Sequence, residues 1–341
     1  MASVILTHLG DSVPPYLRDC VHQLRIFNPT TPVYVIANPV HTHSPFFLDL
    51  QTTYGVRLRF TDALAPTAQH TDFLRNFRGD IAFRKGYWRH VKERFFFVEE
   101  LMIQESLMDV ISMEYDVLVY GDLTDLCRKL HGLPQTLRMV MDNDTRGHPA
   151  FLYFPTVRDA TALTTFFAGI APLPYEDMQT LSLYAKLFPV QNFPVITEQR
   201  NRTIPCRKSR DGHTTNNAAF LSQHSEELGA LFDSLVVGQW IGGIDSRNTG
   251  GTKIVNYENE GALYSIREMP FEWRPEGTRE GTSEGTREGT RETKWRPFLD
   301  NRPLFTIHVH SKALSCFLSD RADRPTCDYD VATVNAGLLP N

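Results

Sequence analysis

Cysteine is scarce in this chain and arranged for no covalent purpose. Cys20, Cys127, Cys206, Cys316 and Cys327 are odd in number, widely scattered and without a Cys-x-x-Cys pair. That excludes a disulfide frame and a cysteine-based zinc site, and they read as reduced thiols. Long apolar runs are missing too: no stretch approaches the ~18 residues needed to span a bilayer. At the N-terminus, Val4-Ile5-Leu6 is interrupted at once by Thr7 and His8, with no basic flank and no small-residue cleavage site. No secretory signal is read there, so the expected location is cytoplasmic, and the sequons at Asn143 and Asn201 then carry no message. A dominant charge sign is also lacking. A net charge of -5 over 341 residues points to neither a general nucleic-acid binder nor a membrane-surface binder. What is present is an ordinary globular composition, 41% hydrophobic and 22% charged, long enough for one large domain or two small ones.

The apolar run 3–7 is expected as a first strand, with His8-Leu9-Gly10-Asp11-Ser12 as its exit loop. Asp11 or Ser12 would cap a helix whose first turn holds Pro14 and Pro15. Leu17, Val21, Leu24 and Phe27 repeat at helical spacing up to the Asn28-Pro29 break. Pro32-Val33-Tyr34-Val35-Ile36-Ala37-Asn38 is a second, apolar strand, and Val56-Arg57-Leu58-Arg59-Phe60 a third. Strand, loop, helix, strand is a βαβ unit, which implies a parallel sheet with helices on its faces. The stretch 90–108 is helical in pattern, and Phe95, Phe96 and Phe97 are too bulky for a solvated face. Further helices are expected at 123–130, 158–167, 176–187 and 216–232, strands at 136–141 and 304–312, and a loop over 192–209.

One segment is out of character. Glu276-Gly277-Thr278-Arg279 recurs three more times, with Ser283 in one fourth place, between Trp273-Arg274-Pro275 and Trp295-Arg296-Pro297. Such a repeat cannot bury a core. It reads as a tandem duplication within an existing surface loop, 276–295, dispensable for chemistry.

Two acids, Glu114 and Asp116, stand where the apolar run 110–113 ends. On an extended chain their side chains share a face. Adjacent acids at a buried strand end are costly unless a cation sits between them. The alternative is a strand end with two solvated acids. Three other features are set beside them. The Thr7-His8-Leu9-Gly10 loop leaves the first strand at the carboxyl edge, where α/β sheets bind ligands. Gly238 to Asp245 reads as a glycine-rich turn ending in an acid. His308 and His310 lie two apart on the last strand, followed by Ser311 and Lys312. Carboxylates with an imidazole suit Mn²⁺ or Mg²⁺ with open positions for phosphate oxygens, and a lysine adds a point charge for those oxygens.

In this order and placement the set resembles a nucleotide-sugar-dependent glycosyltransferase of the GT-A fold. Glu114-Tyr115-Asp116 matches that family's Asp-x-Asp-type motif, with Glu in the first place. Arg94 and the aromatic helix around it stand where such enzymes contact the nucleotide. The stretch from His308 to Lys312 looks like the late metal and diphosphate element. The resemblance implies an α/β chain with a Rossmann-like nucleotide-binding half and a mixed, mostly parallel central sheet flanked by helices. It implies one catalytic domain over 1–320, split into a nucleotide-binding half (1–125) and an acceptor-binding half (126–320), with the repeat loop at 276–295 and a tail at 321–341. Glu114, Asp116 and His310 would hold Mn²⁺ or Mg²⁺, Asp116 most firmly. Thr7, His8, Leu9, Gly10, Arg94, Glu114, Tyr115, Gly243 and Lys312 would bind the nucleotide-sugar, a UDP-sugar first and a GDP-sugar second. The acceptor would be a glycan or glycoconjugate. A rival pair, Asp142-x-Asp144, follows the next strand but reads as a turn and lacks the preceding aromatic helix.

The reaction so implied is displacement at the anomeric carbon. An inverting enzyme needs a carboxylate base. Asp245 is the first choice, with Glu258 and Glu260 next. Two other readings stay open. A sugar-1-phosphate nucleotidyltransferase would show a glycine-rich loop bearing Lys or Arg after the first strand, yet 8–15 holds one glycine and neither cation. The other is a glycan-binding relative without catalysis.

Overall fold

A computed structural model describes residues 2–195, 218–252, 254–257, 266, 269–276 and 293–321. The Glu-Gly-Thr-Arg tract, Glu258, Glu260 and the tail after Arg321 lie outside the described residues, as does most of the loop expected at 192–209.

The larger sheet has seven strands: β1 (Ser3–His8), β2 (Val33–Ala37), β3 (Arg57–Phe60), β4 (Val110–Met113), β6 (Arg138–Asn143), β7 (Arg146–Phe154) and β8 (Gln191–Asn192), in spatial order β3-β2-β1-β4-β7-β6-β8. The ladders β3-β2, β2-β1, β1-β4 and β6-β8 are parallel, while β7 runs antiparallel to both β4 and β6. The sheet is thus mixed, mostly parallel and flanked by helices, the α/β architecture expected. Alternation along buried strands divides the core. Val4, Leu6, Val33 and Val35 face one cluster, with Leu17, Val21 and Leu24 of α1 (Tyr16–Phe27) and Phe47 and Leu50 of α2 (Pro45–Tyr54). Ile5, Tyr34 and Ile36 face the other, with Phe73 of α3 (Ala68–Asn76), Phe95, Phe96 and Leu101 of α4 (Tyr87–Gln104), and Leu163 of α6 (Val157–Gly169).

A second sheet is built from β5 (Val117–Val119), β9 (Leu231–Phe232), β10 (Phe271–Pro275), β11 (Trp295–Leu299) and β12 (Arg302–His308). Its order is β10-β11-β12-β5, with β9 parallel to β12 off that path. The two Trp-Arg-Pro tripeptides face each other in its hairpin: Trp273 pairs with Pro297, Arg274 with Arg296, and Pro275 with Trp295. Among the described residues no helix is long and apolar enough to cross a membrane.

Several local expectations give way. The run 110–120 is not one strand. β4 ends at Met113, the chain turns with Val117 N–H donating to the Glu114 carbonyl (3.2 Å), and β5 starts in the other sheet. Neither Asp11 nor Ser12 caps α1, whose N-terminal flank is Pro15. The supposed helix at 216–232 is two single turns followed by β9. The supposed turn 238–245 begins as a short helix, Val236–Gly242. A strand not anticipated, β7, lies between β4 and β6. Its signal was the apolar run 150–154, masked by Pro149. Residues 143–146 do form the tight β6–β7 connection.

Buried ions fasten α3 to α4. His70 Nδ1 lies 2.7 Å from Glu100 Oε1, and Nε2 lies 3.4 Å from Glu93 Oε1. Burial alone would lower the His70 pKa, but hydrogen bonds to Glu100 and Glu93 outweigh it and raise it to about 9.

Candidate functional site

The parallel ladder β1-β4 puts the exits of both strands on one edge. From β1 leaves the loop His8-Leu9-Gly10. From β4 leaves the turn Glu114-Tyr115-Asp116. The two loops touch: His8 Nδ1 lies 3.2 Å from Tyr115 Oη, and Tyr16 and Tyr115 rings sit 5.7 Å apart. Asn38 donates to the Leu9 carbonyl (2.7 Å), and His41 Nε2 meets the Gly10 carbonyl (2.7 Å). His8 is itself buried, and that burial with the neighbouring His41 pushes its imidazole down to about 4.

The second half of the site arrives on β12. Its antiparallel pairing with β5 sets His308 opposite Val117, beside the acids. Val309 N–H then donates to the Asp116 carbonyl (2.8 Å), stitching the strand end to the acidic turn. His308 Nε2 lies 3.0 Å from Asp116 Oδ2 and 3.9 Å from Glu114 Oε2. The other ring nitrogen, Nδ1, is buried and has no hydrogen-bond partner among the described residues. The Lys312 ammonium also contacts Asp116. Burial opposes ionisation of Asp116, but His308 and Lys312 override it and hold the carboxyl well below the usual range.

Glu114 is held from the other side. Arg94, on α4, bonds Glu114 through one guanidinium nitrogen and Asp177 through the other (2.8 Å). Asp177 opens α7 (Asp177–Leu187). Both terminal nitrogens of Arg94 are thus taken by carboxylates, a positioning link between turn and helix, while its buried Nε has no partner among the described residues. Glu114, His148 and His308 each place a ligand atom within 4.8 Å of the others. The His148 ring, from β7, meets His308 edge-on at 4.8 Å, and its Nδ1 accepts from Ala150 N–H (3.1 Å). A neutral ring bonded so carries its proton on Nε2. The donor chemistry fits a divalent cation: the carboxylates of Glu114 and Asp116 with the buried imidazole of His308 beside them.

His310 does not join the acids as expected of a ligand. Its Nδ1 accepts from Asp245 N–H (3.0 Å), because the strand ends at His308 and the chain bends after it. Burial and the nearby Lys312 lower its imidazole to about 4. Asp245 lies close by, and its carboxylate is gripped by the Arg247 side chain at 2.6 to 3.1 Å and by Arg247 N–H at 2.9 Å. Burial would raise its pKa, but Arg247 lowers it below the usual value, which makes Asp245 a weak base while that pair lasts. Gly243 has φ 81°, and a Cβ there would meet the Ile254 carbonyl oxygen at 2.2 Å. Its requirement for glycine comes from this close packing. The rival acids are engaged elsewhere: Asp142 pairs with Arg146 (3.3 Å) and Asp144 with Lys186 (3.7 Å).

Asp233 was not foreseen. Buried between β9 and the short helix, it accepts from Val237 N–H (2.9 Å), Gly238 N–H (2.9 Å) and His308 N–H (3.0 Å). It thereby fixes the backbone that carries His308. Gly238 fits against the same spot, since a Cβ there would stand 1.8 Å from the His308 carbonyl oxygen.

No protein-family model matches the chain, and no curated protein does. Among solved structures it is similar to mouse xyloside xylosyltransferase 1, with TM-score 0.41 and 6% identity over 57% of this chain and 86% of that one. It is similar to the galactosyltransferase LgtC, solved with donor and acceptor sugar analogs, with TM-score 0.38 and 16% identity over 57% of this chain and 73% of that one. A cytidylyltransferase from Leptospira borgpetersenii has TM-score 0.35 and 10% identity over 57% of this chain and 75% of that one. Two of these neighbours are thus sugar transferases by name and the third a nucleotidyltransferase. At such TM-scores they assign no residue here, and the functional reading rests on the site itself.

Proposed function

We propose that the protein transfers a sugar from a nucleotide-diphosphate donor, UDP-linked first and GDP-linked second, to a glycan or glycoconjugate hydroxyl. The observation that carries this reading is the meeting of Glu114 and Asp116 with His308 and Lys312, from opposite ends of the chain, at the carboxyl edge of β1 and β4. Glu114, Asp116 and His308 would hold Mn²⁺ or Mg²⁺, which supplies charge neutralisation for a departing diphosphate. Lys312 holds Asp116 until a diphosphate draws it off, then balances that charge. Arg94 keeps Glu114 aimed. Thr7 to Gly10 and Tyr115 form the floor on which the nucleotide rests, with Gly243 keeping the far wall close. Asp245 acts as base toward the acceptor once Arg247 releases it, and Glu258 is the next choice.

Titration calorimetry with Mn²⁺ and a panel of nucleotides tests the reading. Metal-dependent binding of UDP or GDP is the expected result. Binding of triphosphates alone would overturn it in favour of nucleotidyl transfer, and no nucleotide binding would leave a glycan-binding protein.

A further inference from the structure

A loop beside the candidate site combines cations and exposed apolar side chains. Between Arg75 and His90, Arg75, Arg78, Arg84, Lys85 and Arg89 stand against the single acid Asp80, in a chain that is net acidic. Residues 78–85 are exposed without interruption, among them Ile81 at 66% and Phe83 at 39%, and Tyr87 follows at 40%. Phe83 stacks on Trp88 at 5.6 Å and 19°, so the exposed rings form one platform rather than loose ends. Arg84, Lys85 and Gly86 all have positive φ (44°, 57° and 92°), a sharp turn, costly at the two non-glycine residues, that leads into α4.

The cations at the tip are weakly engaged. Arg75 and Arg89 pair with Asp72 and Glu93 (3.0 and 3.2 Å). Arg78 donates to backbone carbonyls, Arg84 reaches Asn248 at 3.4 Å, and Lys85 reaches Asp11 at 3.3 Å with both partners mostly exposed. Exposed contacts of this sort exchange at little cost. Those last two contacts also place the tip at the site, since Asp11 follows Gly10 and Asn248 follows the Asp245–Arg247 pair.

We propose that this loop docks the protein onto an anionic bilayer surface, with the neighbouring site facing the headgroups. Ile81, Phe83 and Tyr87 would enter the interface, while Arg78, Arg84 and Lys85 would meet anionic headgroups. Amphipathic aromatic rings with long cationic side chains suit that boundary, where an apolar end and a wet end are needed together. The acceptor would then be presented on a membrane. That consequence rests on the transferase reading; the docking does not.

Co-sedimentation with phosphatidylcholine vesicles, with and without phosphatidylserine, tests the docking without any nucleotide. Binding to the phosphatidylserine vesicles alone is expected, weakened by salt. Arg84→Glu should weaken it about fivefold or more, following the contribution of one cation near the surface. Ile81→Ser with Phe83→Ser should weaken it about tenfold while leaving thermal midpoint and donor hydrolysis unchanged, since these side chains are exposed. No binding by the wild type, equal binding to neutral vesicles, or unchanged binding by both variants would overturn the proposal. So would a concentration-dependent dimer lost in Ile81→Ser, which assigns the patch to a second copy, or retention by an acidic protein with none by vesicles. Donor hydrolysis without vesicle binding leaves the transferase reading standing, and vesicle binding without nucleotide binding leaves only the docking.

Discussion

The site draws on two regions built in opposite ways. Around β1, β2 and β3, parallel neighbours in the sheet follow one another in the chain, and β4 joins the free side of β1 with its own fully buried apolar run. Around β12, β11 is also the neighbour in the chain, but β5 and β9 come from distant parts of it. The first region delivers Glu114 and Asp116 on a turn that follows β4, a strand buried between β1 and β7. The second delivers His308 and Lys312 only because backbone hydrogen bonds from Val309 to Asp116 and from His308 to Asp233 hold the strand end there. The lesson is that half of the site inherits its position from a robust layer, and the other half depends on a few buried polar contacts that must all be made.

Four changes would break or sharpen that contrast. The largest effect is expected from Asp116→Ala, where both regions converge. Metal-dependent turnover should fall about a thousandfold with the fold intact, by analogy with the loss of a single charge-stabilising group. Donor hydrolysis assays and circular dichroism check it, and full turnover would rule out the site. Next is Gly238→Ala, which drives a methyl into the His308 carbonyl. It should cost about 3 kcal/mol of stability, the upper end for overpacking, and lower metal affinity as His308 shifts. Denaturant titration reads the first and calorimetry the second. An Ala of similar bulk added on the exposed face of α1 should do neither.

A third change touches the first region only. His70 is raised from 6.5 to about 9 in the fold, so its contribution is whole below about pH 6.5 and fades as pH rises toward 9. Glu93 is lowered from 4.5 to about 2, burial opposing and His70 and His90 overriding, so its share is whole above about pH 4.5 and is lost as pH falls toward 2. Relative to His70→Gln, the wild type should therefore lose about 2 kcal/mol between pH 6.5 and 9. Thermal unfolding across that range measures it, and parallel curves would sink the assignment. The smallest effect is expected from removing 277–292. Glu276 N–H already donates to the Lys294 carbonyl (2.7 Å), so the ends of the tract are held together. Loop length enters only logarithmically, and stability should move by about 1 kcal/mol or less.

Much of the first region was legible. Fully apolar runs marked β1 and β2, and helical spacing of Leu17, Val21 and Leu24 marked α1. The acids were also visible, but not their geometry. A period of two assumes one extended strand, whereas the chain changes sheets between Met113 and Val117. The same assumption set His310 with the acids, when only His308 lies within the ladder. Asp233 and His148 were hidden for another reason. Each owes its place to long-range contacts, Asp233 to the His308 backbone and His148 to a strand that Pro149 disguised. Whole-chain net charge likewise averaged away the basic loop 78–89.

The paired Trp-Arg-Pro tripeptides carry a consequence for inheritance. Their register closes at Pro275 and Trp295, and β10 and β11 are fastened before the tract begins. A duplication at the level of DNA that adds or drops whole Glu-Gly-Thr-Arg units leaves every one of those pairings in register. Copy number of the unit is therefore free to drift between lineages while the sheet that supports His308 stays the same.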